Sequence, residues 1–364
     1  MTGSLRVAMT LEQCWHRVPG GTARAAVETA AVLAEGTEVE VTGIAARHRE
    51  PPAVPYRPPV PVKQLLLPRR TLYDAWHHLR RPKIGGPVDV IHATGIVMPP
   101  PSAPIVWTLH DLAWRREPAN FTRRGVRFFE RALELAKQDA RLILCSSQAT
   151  IDDAVEAGLP EDRLRLVPLG VRPRLVSDDE ITTVRKRRGL PRPYVLSVGT
   201  IEPRKNLPTL VEAFGGLAKA GLDLVLVGPQ GWHEDLDRLV EPLGERAKPL
   251  GFVTEGELAT LYAGASAFAY PSSWEGFGLP VLEAMAYGAP VVTSAGTACA
   301  EVTGDAALLV DPRDPAAIHG ALTRVLEDAD LADRLRHDGR LRASHFTWER
   351  TAELTVAAYR EAAA

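Results

Sequence analysis

Twice along this chain, short apolar runs rich in β-branched residues alternate with longer stretches whose apolar residues recur about every 3.6 positions. That alternation predicts βαβ units, and so parallel sheets covered by helices on both faces. In the first series the expected strands are 5–10, 39–46, 88–94, 104–111, 141–147 and 163–171, with helices over about 22–35, 69–80, 122–139 and 147–157. The run "PPAVPYRPPVPV" at 51–62 is expected to be an exposed loop, because proline fixes φ and brings no donor to a ladder. A second series of strands is expected at 194–200, 222–229, 249–253, 265–272, 289–295 and 306–312.

Between the series lies "RPRLVSDDEITTVRKRRGLPRP", charged and bounded by prolines, which reads as a linker holding one short helix. With 364 residues the chain exceeds the roughly 250–300 at which a single core stops growing. The fold class expected is therefore α/β: two Rossmann-like, doubly wound domains facing a central cleft, over 1–172 and 193–345, joined by a linker at 173–192. In such sheets ligands bind beyond the carboxyl ends of the strands, so the residues following each strand are the candidates for chemistry.

At 198–206, "VGTIEPRKN", a strand ends at Gly199 and is followed by Arg204 and Lys205 just before a helical pattern. One bidentate fork and one point charge at that place suit a diphosphate. At 272–290, "SSWEGFGLPVLEAMAYGAP", Gly276 and Gly278 allow a tight turn and Pro280 suits the start of a helix. The amides of Phe277, Gly278 and Leu279 would then form an anion-receptive helix start. Glu283, one turn inside, would repel a phosphate and instead suits the hydroxyls of a ribose. Glu275 precedes the turn and is expected to face the cleft. Gly20 and Gly21 precede another helical pattern and would admit an anionic ligand close to the backbone. His110, with Asp111, ends a buried-strand pattern and is placed to orient or polarise a sugar hydroxyl.

Neither GxGxxG nor GxxxxGK[ST] occurs. The DxD patterns at 235–237 and 328–330 fall inside a helical stretch (233–243) and between two amphipathic helices, so no metal is expected, and Arg204 and Lys205 take the role of counter-charge. The cysteines Cys14, Cys145 and Cys299 lack CxxC spacing and read as reduced thiols of a cytoplasmic protein. No run approaches the ~20 apolar residues of a membrane span, and the first residues enter a strand pattern without a signal peptide.

The net charge of -2 divides unevenly: residues 1–175 hold 24 Lys and Arg against 18 Asp and Glu, a net of +6, leaving -8 for the rest. The excess lacks interleaved aromatic stacking residues, which argues against a nucleic-acid partner. It leaves open an anionic or lipid-linked acceptor, with peripheral contact at the inner face of a membrane. The segment 120–138, "NFTRRGVRFFERALELAKQ", reads either as an interfacial helix or as a core helix with a basic outer face.

Together these residues resemble the retaining GT-B glycosyltransferases of family 4. The similarity rests on "GGTARAAVETAAVL", "WTLHDLAWRREPANF", "YVLSVGTIEPRKNLPTLVEAF" and "YPSSWEGFGLPVLEAMAYGAPVVTS", in the family's order over about 5–312. The resemblance implies a metal-independent transfer of a hexose from a nucleotide-diphosphate sugar to a hydroxyl acceptor. It implies Glu275 near the transferred sugar and its 3-hydroxyl, Glu283 on the ribose, Arg204 and Lys205 on the diphosphate, and His110 on the sugar. Gly20 and Gly21 would belong to a loop closing over the phosphates, and Phe252 and Val253 would lie beside the base. A C-terminal helix at 346–364 would cross back to the first domain. "GTIEPRKN" and "HDLAWRREPANF" lean towards bacterial mannosyl- and rhamnosyl-type members, which makes GDP-mannose the first donor expected. Two alternatives stay open: a sugar-nucleotide epimerase of the same architecture, and a non-catalytic nucleotide-sugar sensor.

Overall fold

The computed structural model describes residues 4–218, 221–231 and 234–364. His233, the first residue of the helical stretch read at 233–243, lies outside them. The chain divides into two compact units: Met1–Gly170 together with Thr347–Ala364, and Val171–Phe346.

The first unit holds seven parallel strands: β1 (Leu5–Thr10), β2 (Val39–Ala45), β3 (Val62–Gln64), β4 (Val90–Ala93), β5 (Ile105–Leu109), β6 (Ala140–Cys145) and β7 (Leu164–Leu166). Their order is β3-β2-β1-β4-β5-β6-β7. Successive side chains on a strand point to opposite faces, and here both faces are buried. Ala8, Ile91 and Trp107 join one core cluster, and Val7, Val90 and Val106 join the other. The strands are accordingly continuous apolar runs and not alternating ones. The second unit repeats the plan with β8 (Tyr194–Val198), β9 (Asp223–Val227), β10 (Ala247–Gly251), β11 (Ala267–Tyr270), β12 (Val291–Ser294) and β13 (Ala307–Val310), in the order β10-β9-β8-β11-β12-β13. In both sheets the order reverses direction beside the first strand, so each has a switch point: β1 with β4, and β8 with β11.

The structure departs from the sequence reading at sheet edges. Val62–Gln64, at the end of the proline-rich loop, adds an edge strand beside β2. Three residues are too few to show a period. The strand expected over 163–171 is confined to Leu164–Leu166. The helix expected over 69–80 divides into Arg69–Asp74 and a wider π-type turn, Ala75–Leu79. Within the stretch read as a linker, a helix at Asp178–Arg187 carries a full capping box, Ser177 with Glu180. The helix Arg123–Asp139 turns Phe128 and Phe129 towards the first unit's core, with Arg123, Arg124 and Arg127 exposed. It is therefore a core helix with a basic outer face, as one of the two readings of 120–138 expected. Arg80, Arg115 and Arg116 are paired with Asp139, Glu130 and Asp153.

The final helix, Trp348–Ala363, packs on the helix Gly20–Glu35 and on β4, β5 and β6. Trp348 and Tyr359 are buried within it, and burying side chains of that size contributes roughly 1.5–3 kcal/mol each.

Candidate active site

In the second unit, the loops after β8 and β11 meet at the switch point. The turn Pro203–Lys205 follows β8, and Asn206 closes it at φ +54°. The Asn206 Nδ2 donates to the carbonyls of Pro271 (3.1 Å) and Pro312 (2.6 Å), tying this turn to the ends of β11 and β13. The Arg204 carbonyl accepts the Ser273 amide at 2.9 Å. Arg204 and Lys205 are thus held against the β11 loop by backbone as well as charge.

Lys205 Nζ lies 2.6 Å from Glu275 Oε1 and 2.6 Å from the Tyr270 hydroxyl, which itself donates to Glu275 Oε1 at 3.0 Å. Arg204 pairs with Glu275 Oε2 at 2.8 Å and with Glu202 at 2.8 Å, and donates to the Trp274 carbonyl. Burial alone would raise the Glu275 carboxyl, but the Arg204 and Lys205 charges outweigh it and hold it at about 2. Glu275 is therefore a carboxylate throughout the physiological range, suited to accept hydroxyl hydrogens or to steady positive charge. It is not a proton donor. Gly199 has a space-making role here: a Cβ on it would stand 3.2 Å from the Lys205 stem.

Beyond Glu275 the chain turns through Gly278, whose φ is +95° and whose Cβ position lies 2.7 Å from the Cys299 sulfur. Only glycine meets both conditions without strain. Gly278 caps the helix Leu279–Ala286, with Pro280 in its first turn and no side-chain cap. Phe277 and Leu279 flank it, both buried. Glu283, on the same helix and also buried, accepts the Tyr262 hydroxyl at 3.0 Å. After β10, Phe252 is 65% exposed while its neighbour Val253 is buried.

In the first unit, His110 follows β5. Its Nε2 is 3.0 Å from the Thr94 carbonyl, which can only accept, so Nε2 carries the proton and Nδ1 is an acceptor. Burial lowers its pKa, against the smaller opposing effects of that hydrogen bond and of Asp111. Gly20 and Gly21 are the first residues of the helix Gly20–Glu35 and not a separate loop, with Gly20 at φ +62° and open space where a Cβ would stand.

Sequence reasoning missed Tyr270, Glu202 and Asn206. Tyr270 ends β11, so the strand-end rule itself pointed to it; Glu202 and Asn206 had no signal beyond their adjacency to Arg204 and Lys205. The first aspartate of each DxD pattern is a helix cap: Asp235 accepts from the Arg238 amide and Asp328 from the Leu331 amide. Among the described residues no group of three or more His, Cys, Asp or Glu could hold a metal ion. The three cysteines are buried and free, and burial pushes each thiol up to about 12. No helix among the described residues is long and apolar enough to cross a membrane.

Residues 180–342 match the model described as Glycosyl transferases group 1, and residues 19–175 match Glycosyltransferase Family 4. The chain is 34% identical over 282 residues to O-antigen chain mannosyltransferase B of Escherichia coli, covering 74% of each chain. The chain belongs to the GT-B glycosyltransferases. Another relative of this glycosyltransferase is an MMP alpha-(1->4)-mannosyltransferase of Mycolicibacterium hassiacum, 30% identical over 305 residues, covering 77% of this chain and 72% of that one. In fold, the glycosyltransferase is similar to Anabaena HepE in complex with UDP and glucose, at TM-score 0.76 and 19% identity, covering 98% of this chain and 100% of that one. Two parallel Rossmann-like sheets are common to both.

Proposed function

We propose that this glycosyltransferase is a retaining, metal-independent hexosyltransferase that takes its sugar from a nucleotide-diphosphate donor, GDP-mannose first. The observation that carries the reading is the cluster of Lys205, Arg204 and Glu275 at the switch point of the second sheet, where two cations and an ionised carboxylate adjoin an uncapped helix start. Arg204, Lys205 and the amides of Phe277, Gly278 and Leu279 stabilise the charge that grows on the leaving diphosphate. Glu275 accepts sugar hydroxyls and offsets positive charge at the anomeric carbon. Glu283 takes the ribose, exposed Phe252 with Val253 flanks the base, and Gly20 and Gly21 approach the phosphates. His110 Nδ1 accepts from a sugar hydroxyl.

In the step itself, the bond from the anomeric carbon to the diphosphate oxygen breaks and the acceptor oxygen bonds to that carbon on the same face. The acceptor proton passes to the departing phosphate. Relatives named as mannosyltransferases support mannose as the sugar. The three buried free thiols support a reducing, cytoplasmic setting. The exposed Arg123, Arg124 and Arg127 support peripheral contact with an anionic membrane through charge alone.

The test is to incubate the protein with GDP-mannose in EDTA and follow nucleotide release and the anomeric proton of the product. The reading expects GDP release with the donor's anomeric configuration kept. An inverted product, or turnover that needs added metal, overturns it.

A further inference from the structure

Of the four edges of the two sheets, three carry features that keep another chain from pairing with them. β3 is three residues long, follows Pro61 and exposes Lys63. β7 is also three residues long and carries Arg165. β10 carries Lys248 and Pro249, and its register with β9 breaks between Pro249 and Gly251. β13 has none of these. It reads Ala307-Leu308-Leu309-Val310, without charge or proline, and its register with β12 is unbroken. Among the described residues it pairs with β12 alone. We infer that β13 is an interface: two copies of this chain join along it, antiparallel about a two-fold axis at Leu309, so that the six-stranded sheet continues from one copy into the other.

The Ala295 amide donates to the Val310 carbonyl at 2.8 Å. In a parallel pair, alternate residues of a strand turn both backbone groups to the neighbour. Leu308 and Val310 therefore face β12, and the amides and carbonyls of Ala307 and Leu309 line the outer edge. Leu308 packs on the second unit's core, whereas Leu309, on the other face of the sheet, is 43% exposed. Beside the edge runs a groove of about 560 Å³, bordered by Ala317, Gly320 and Ala321 of the helix Pro315–Glu327. A Cβ on Gly320 would meet nothing within 4 Å. These small residues leave the flank of β13 clear for a second strand at the usual spacing of about 4.8 Å.

Charge identifies the occupant as a second copy and sets the register. Asp305 precedes the strand, Asp311 and Arg313 follow it, and all three are exposed. Antiparallel pairing centred on Leu309 sets Asp305 of one copy opposite Arg313 of the other, and the two-fold axis repeats that contact. Displaced by one residue, so that Ala307 faces Leu309, the same pairing sets Asp305 opposite Asp311. Like charges directly opposite are destabilising. β13 with its flanks is thus complementary to itself, a match that a strand of unrelated sequence does not bring. None of these residues belongs to the Lys205 cluster, so the inference does not depend on the donor reading.

The test is sedimentation equilibrium of the full chain across the micromolar range. The unsubstituted protein is expected to double its mass as concentration rises. Leu309→Lys brings two ammonium groups together at the axis and should weaken the dimer at least ~10-fold. Asp305→Arg and Arg313→Asp should each weaken it as well. Combined in one chain they should restore it, because the exchanged charges again meet across the axis. Leu309, Asp305 and Arg313 are all exposed, so Tm, measured alongside, should hold for each variant. After mild oxidation, Leu309→Cys should link to its own copy through a disulfide and Ala307→Cys should not, since Ala307 faces Asp311 in this register. The protein's own three thiols are buried. A mass that stays at one chain at every concentration overturns the inference. So does a dimer that Leu309→Lys leaves intact, or a combined charge variant that associates no better than either single one.

Discussion

Lys205 and Glu275, seventy positions apart in sequence, meet at 2.6 Å between the loops that follow β8 and β11. The pair joins the two strands that flank the switch point, so the place where a doubly wound sheet opens for a ligand is also where its charges are concentrated. Each partner sets the other's state. Glu275 stays ionised because of the cations, and Lys205 is aimed by Glu275 and Tyr270 together.

Lys205→Ala is expected to lower kcat/KM by at least ~10²-fold, the usual loss when one preorganised charge on a leaving group is removed. Lys205→Arg should not restore it. The Lys205 side chain is only 11% exposed and its Nζ is fixed between Glu275 Oε1 and the Tyr270 hydroxyl, a point-charge position that a planar fork does not reproduce. Steady-state kinetics on both variants check this, and near-normal turnover of either removes Lys205 from the machinery.

Gly278→Ala combines a backbone strained at φ +95° with a contact of 2.7 Å to the Cys299 sulfur. A loss of about 1–3 kcal/mol is expected for the backbone alone, seen as a lower Tm. Adding Cys299→Ala should recover only the steric part. Full recovery in the double variant would show that the left-handed conformation carries no strain.

Acid should weaken the first unit before it weakens the second. His77 and His92 are both pushed down to about 3 by burial first, aided by neighbouring positive groups. In the unfolded chain they bind protons below about 6.5. The unfolded state therefore binds more protons across that window, and stability falls as pH drops from about 6.5 towards 3. The slope is about 1.4 kcal/mol per pH unit for each buried histidine. Glu275, held at about 2, adds its own loss only between its ordinary value of 4.5 and 2. Urea unfolding at pH 7, 6 and 5 should show a falling midpoint, less steep in His92→Asn. A flat profile contradicts this account.

Tyr359→Phe should destabilise by about 1–2 kcal/mol, because the Tyr359 hydroxyl meets His92 Nδ1 at 2.6 Å and both residues are buried. Thermal unfolding of the variant checks it; an unchanged Tm would show that the final helix is held by packing alone.

Long buried strands were legible because both faces of each sheet are covered, so Val7 and Ala8, or Val106 and Trp107, are apolar in succession. The edges were not. Val62–Gln64 and Leu164–Leu166 are too short to carry a pattern. In the candidate site of the second unit, the cations and glutamates stood out as charges beside glycines and a proline. Tyr270 did not, since an aromatic residue at the end of a buried strand looks like core. The polar cluster at the end of β1 was the least legible part: Glu12, Gln13 and His48 find their partners only once β1, β2 and β4 bring their ends together.

The central claim is that the second unit binds a nucleotide diphosphate through Glu283 and the Lys205 cluster. Calorimetric titration of GDP, UDP, ADP and dTDP in EDTA, on the unsubstituted protein and on Glu283→Ala, tests it most directly. The account predicts that one nucleotide binds clearly tighter than the others and that Glu283→Ala weakens it. Binding by none of the four, or binding that Glu283→Ala leaves unchanged, would contradict it.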